Sequence, residues 1–125
     1  MADHEDEIMQ GVALSISVTY TLLVDVCQVL PVPITMPVDR HIPVTDAYPA
    51  IQRVADLAGE LPMGEAQSMR LYMGCIQLLA GIDLYGLCAT RYMDSRAEGA
   101  AVNLIHANSQ LEPLLLWLRT DGATG

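Results

Sequence analysis

Few side chains in this chain are of a kind that does covalent chemistry, and fewer are spaced for it. Asp39, Arg40 and His41 are consecutive in a proline-rich stretch. An aspartate beside a histidine can orient an imidazole for general-base work. No serine or cysteine stands out as a nucleophile to go with them, and polar side chains also gather in loops simply because loops are solvated. The expectation here is a solvated loop and no catalytic residue.

Metal chemistry has equally little to build on. With Met1 removed the chain would begin Ala2-Asp3-His4, and a free amine with a histidine in third place can wrap Cu(II) or Ni(II) in a square plane. That motif is short and arises by chance, so no functional role is expected of it. His4, His41 and His106 are far apart, no cysteine sits at a finger spacing, and no metal or cofactor is expected. His106 belongs most simply to the flank of a helix.

Asp83, between Ile82 and Leu84, is either a perturbed acid or the partner of Arg70, Arg91 or Arg96. The structural role is the expected one. Gly81 and Gly86 do not form the glycine signature of a dinucleotide site, and they fall inside a helical pattern.

Composition narrows the field further. The chain has 125 residues, the length of one domain, and its net charge of −9 sets 15 acids against 6 basic residues. All six are arginines, and the absence of lysine rules out Schiff-base chemistry and the phosphate-binding P-loop lysine. So acidic a chain is not expected to bind nucleic acid. At 52% hydrophobic and 17% charged it is not intrinsically disordered either. The three cysteines Cys27, Cys75 and Cys88 lie among apolar neighbours, are odd in number and form no C-x-x-C pair, which points to a cytoplasmic address. The uncharged run from Ile8 to Val24 holds Gln10, Ser15, Ser17, Thr19 and Thr21 and falls short of a full span, so no membrane segment is expected.

The elements that would position these residues can be read from periodicity. Residues 1–7 hold Asp3, Glu5, Asp6 and Glu7 and read as an acidic arm ahead of one domain over 8–120, with 121–125 as a tail. In 8–30 two patterns compete. Met9, Val12, Ile16, Thr19, Leu23, Val26 and Leu30 make a helical stripe, whereas 14–22 alternates like a strand. The longer stripe favours a helix. Pro31, Pro33, Pro37 and Pro43 then impose an extended loop, with room for a short ribbon at 34–36 and 41–44. Asp46 suits the cap of a short helix ended by Gly59.

Residues 65–92 predict a helix apolar nearly all round. On it Gly74, Gly81 and Cys88 recur every seven residues, a stripe that lets another backbone approach closely. Ser95-x-x-Glu98 and Ser109-x-x-Glu112 read as capping boxes, which predicts a break near Asn108 and a separate final helix to about Arg119. The fold class that follows is all-α, a small bundle of four to five helices, with α+β as the alternative if 14–22 is a strand.

These helices present more apolar surface than so small a core readily absorbs. Met69, Met73, Leu111, Leu114, Leu115, Trp117 and Leu118 are the candidates for a partner or dimer surface. The functional expectation is a non-catalytic regulator that binds another protein, of anti-activator, inhibitor or immunity type, and forms a homodimer. Its partner would carry a basic or apolar surface. In size and acidity the chain is also similar to bacterial secretion chaperones, a resemblance of composition without a motif, which implies a mixed α/β dimer. The third alternative is a small-ligand domain or minor enzyme in which Asp39, His41, Tyr72 and Tyr85 line a pocket.

Overall fold

The computed structural model describes residues 2–38 and 44–121. Within them the chain forms α1 (Ala2–Val29), α2 (Val44–Leu57) with a 3-10 turn at Ala58–Glu60, α3 (Glu65–Thr90) and α4 (Asp94–Thr120). No strand occurs among the described residues, so the all-α bundle is the fold and the α+β alternative is excluded.

The competition over 8–30 is decided by burial. Val12, Ile16, Thr19, Leu23 and Val26 are all buried on one side of α1 and Leu30 just past its end, while Leu14 and Val18, which a strand would have buried, face outward. The β-branched residues of 14–22 carry a strand preference of at most about 1 kcal/mol. Burying the helical stripe outweighs it, because each large aliphatic side chain contributes about 1.5–3 kcal/mol.

Helix α1 begins at Ala2, so the acids of the expected arm form its first turns. Among them the exposed Glu5, Asp6 and Glu7 stand near the N-terminal end of the helix, where acidic side chains are favoured by its dipole. After α1 the chain runs extended through 33–38. Ile34 and Met36 turn into the core, the Ile34 amide donates to Cys27 O (3.1 Å), and the Tyr20 hydroxyl donates to Pro37 O (2.7 Å). No ribbon forms in 33–38, and Val44 already belongs to α2. Asp46 falls inside α2 and does not precede it.

Helices α3 and α4 form an antiparallel hairpin joined through Arg91–Met93. The expected break at Asn108 does not occur, and α4 is continuous through Pro113. Its buried residues Ala97, Ala100, Leu104, Ala107, Leu111, Leu114 and Leu118 alternate three- and four-residue steps without interruption. This seam holds the helix together where proline removes one backbone bond. Neither expected capping box forms. Met93 is the N-cap of α4, Ser95 lies within the first turn, and the Ser109 hydroxyl donates back to Ile105 O (3.0 Å).

The glycine stripe on α3 meets this seam. A Cβ on Gly74 would lie 2.6 Å from Leu111 Cδ2, and one on Gly81 would lie 3.0 Å from Leu104 Cδ2. Both contacts fix one antiparallel register, which sets Cys88 against Ala97. The Cys88 thiol donates to Met93 O (3.6 Å) where the hairpin closes. Helix α1 packs on α4 through Thr19, fully buried, whose hydroxyl donates to Asn108 Oδ1 (2.8 Å). Asn108, expected to end a helix, instead ties two together.

By length and composition, α1 over His4–Val29 and α3 over Glu65–Thr90 reach what a membrane crossing requires. Within the bundle each divides its apolar side chains between core and surface.

Candidate functional site

Two outward helix faces carry the large apolar side chains that the core leaves exposed. The first is the outer surface of the α1–α4 pair. The Thr19–Asn108 bond, together with the cleft that residues 8–15 share with residues 92–101, sets these helices side by side in parallel, with N-terminal ends together. Leu14 (66% exposed) and Val18 (56%) project from α1 on the side away from its buried stripe, and Val102 (51%) and Ile105 (63%) project from α4. Gly11 and Ser15 on α1 and Ala97 and Ala101 on α4 are small. Between them lies a cleft of about 460 Å³, lined also by Ile8 and Val12 and, towards the start of α4, by Tyr92, Asp94 and Glu98. A Cβ on Gly11 would meet nothing within 4 Å, so no neighbour among the described residues requires glycine there.

The borders of this face are acidic. Asp94 and Glu98 line the cleft, Glu7 and Glu112 are exposed on the same two helices, and Asp25 on α1 is half-buried. Tyr92, half-buried, lines the same end of the cleft as Asp94, with its phenol beside the Asp94 carboxylate. A hydrogen bond from the phenol to the Asp94 carboxylate, with burial and the charges of Asp94, Cys88 and Glu5, pushes the Tyr92 pKa up to about 12. The Asp94 and Glu98 carboxylates give that end of the cleft an environment that favours a cation.

The second face is the outer side of α3, with Met69, Tyr72, Ile76 and Leu87 exposed and Met73 and Ala80 half-buried. Met69 and Tyr72 border a hollow of about 500 Å³ completed by Gly59, Met63, Glu65 and Ser68.

Of the candidate partner residues, Met69 and Met73 lie on this second face. Leu111, Leu114 and Leu118 do not contribute to any surface; they are core, because they form the α4 seam that packs on α3. Leu115 and Trp117 are half-buried against the same core. Gly74 and Gly81 lie against Leu111 and Leu104 of α4, and Cys88 is buried beside the hairpin turn. Asp39, Arg40 and His41 lie outside the described residues. Asp83 corrects its expectation: it is exposed, and its Oδ2 accepts a bond from the Tyr48 hydroxyl (2.9 Å), with no arginine involved. Arg96 instead caps the end of α3, donating to Arg91 O (2.9 Å) and Leu87 O (3.4 Å).

The cysteines are poor nucleophiles where they stand. Burial pushes the Cys27 pKa up to about 12 and raises that of Cys75 as well, Cys27 adding to the latter. A thiol so held is protonated and unreactive near neutrality. His4 and His106 are exposed on different helices, and no group of three or more metal-binding side chains occurs among the described residues.

Sequence reasoning missed Leu14, Val18, Val102 and Ile105 as surface residues. The signal was available: each lies off the three-four stripe of its own helix. No family model, curated protein or solved structure matches this chain.

Proposed function

We propose that this protein is a non-catalytic regulator that acts by binding another protein on the outer face of α1–α4. The observation that supports this reading is the apolar centre of Leu14, Val18, Val102 and Ile105, exposed across two packed helices and bordered by carboxylates. Scattered apolar side chains on a surface mean little, but a contiguous patch with a polar rim is the usual form of a recognition surface. The small residues that line the cleft leave room for a helix or strand of the partner. The acidic border selects a partner whose contacting surface is rimmed by arginine or lysine, since complementary charge speeds encounter and rejects acidic competitors.

The test is parallel affinity capture from the source cells with the wild-type chain and a V18E/I105E variant. Both substitutions are at exposed positions, so the variant should match the wild type in circular dichroism and melting temperature. A protein held by the wild type in near-equal amount and lost from the variant supports the reading. Equal recovery by both chains, or no enriched protein, rejects it.

A further inference from the structure

The outer face of α3 is self-complementary, and we propose that it pairs two copies of this chain antiparallel about a two-fold axis. The argument starts from spacing. Met69, Tyr72, Ile76, Ala80, Asp83 and Leu87 advance by threes and fours along one side of the helix, which is the seam pattern of paired helices. Met69, Tyr72, Ile76 and Leu87 are all substantially exposed there, so none of the described elements covers these four side chains.

Charge then identifies the occupant. Glu65 is exposed in the first turn of α3, and Arg91 is exposed just past its last turn. The antiparallel register that sets Ile76 against Ala80 of a second copy sets Met69 against its Leu87, Tyr72 against its Leu84 and Glu65 against its Arg91. These pairs share one midpoint along the helix, so each occurs twice, as two-fold symmetry demands. A parallel pairing would instead place glutamate on glutamate and arginine on arginine. Two local features fit this register. Leu87 of the second copy arrives at the hollow bordered by Met69 and Tyr72. Asp83, the one carboxylate in the middle of the seam, is already engaged by the Tyr48 hydroxyl at 2.9 Å. Ala80 at the centre, with no long side chain, lets the two helices approach closely.

This dimer uses a different face from α1–α4, so it stands or falls independently of the partner-binding reading. It would present two copies of the α1–α4 face to a partner.

Sedimentation equilibrium of the full chain in aqueous buffer, over a range of micromolar concentrations, provides the test. Wild type is expected as a reversible dimer, and I76E as a monomer with unchanged circular dichroism. E65R and R91E should each weaken the dimer by roughly 5- to 20-fold, two exposed ion pairs being altered per dimer. The E65R/R91E double variant should recover to within about 3-fold of wild type, because the swap restores opposite charges across the axis. A wild type that stays monomeric, a dimer indifferent to I76E but lost in V18E, or a charge swap that fails to recover would each overturn the proposal. So would association seen only with lipid vesicles, which would assign the face to a membrane surface.

Discussion

Gly74 on α3 and Leu111 on α4 share one volume: a Cβ on the glycine would stand 2.6 Å from Leu111 Cδ2 and 2.7 Å from its Cγ. The close approach of the two helices is thus set by a residue without a side chain facing a large one. Gly81 and Leu104 repeat the arrangement seven residues along.

Replacing Gly74 by alanine is therefore expected to destabilise the fold by about 1–3 kcal/mol, the usual range for overpacking a core. This runs against the gain of about 1 kcal/mol that alanine normally brings to a helix interior. In the G74A/L111A double variant the two losses should be clearly less than additive, because the truncated leucine makes room for the new methyl. Urea unfolding of the four chains measures the coupling, and strict additivity would refute the packing account.

Thr19 to valine removes a hydroxyl of nearly the same volume and leaves Asn108 Oδ1 without its donor. The expected loss is about 1–2 kcal/mol, from the deleted hydrogen bond and the part-buried acceptor it abandons. Chemical denaturation reads it directly.

Pro113 lies on the exposed side of α4, where its missing amide leaves Ser109 O without a helical donor. Alanine at 113 should restore that bond and raise stability by about 1 kcal/mol or more. A higher melting temperature is the expected result. A fall would mean that the proline is held by contacts not evident in the helix itself.

Gly11 to alanine should also stabilise, by about 0.5–1 kcal/mol, since the new methyl projects into open space. A bulky replacement such as G11L should leave the fold intact yet obstruct the cleft. Loss of the captured partner with G11L, at unchanged melting temperature, would place that partner in the cleft.

Cys27 provides the pH dependence. Its ordinary pKa of 9.0 is pushed up to about 12 by burial, so the folded state holds a proton that the unfolded chain releases. Stability from this group is complete below pH 9 and declines as pH rises from about 9 toward 12. The C27A variant should lose less stability than wild type over that window. Thiol titration at pH 8 should be slow in buffer and rapid in denaturant for the same reason.

Much of the bundle was legible in the sequence because its signals are local. The stripe from Val12 to Leu30 and the seven-residue glycine spacing of α3 each follow from one helix's own period. The end of one helix and the start of the next were read less well. Ser95 and Ser109 satisfy a capping pattern, but a cap forms only where the helix actually ends, and the seam from Ala97 to Leu118 carries α4 straight through. The surface was the least legible part, because Leu111 and Ile105 are equally apolar residues and periodicity alone does not say which side another helix will cover.

By itself the sequence determined which sides of its helices are apolar, where glycine permits close approach, and that no lysine, nucleotide signature or metal spacing is present to support chemistry. Tertiary structure alone decided that Leu111, Leu114 and Leu118 are consumed by α3, and that Leu14, Val18, Val102 and Ile105 are left outside. The reason is that burial belongs to pairs of elements. A helix specifies its own faces through a period of 3.6 residues, but which face meets a neighbour depends on register and packing distance, here set by Gly74 against Leu111 and by Thr19 bonded to Asn108.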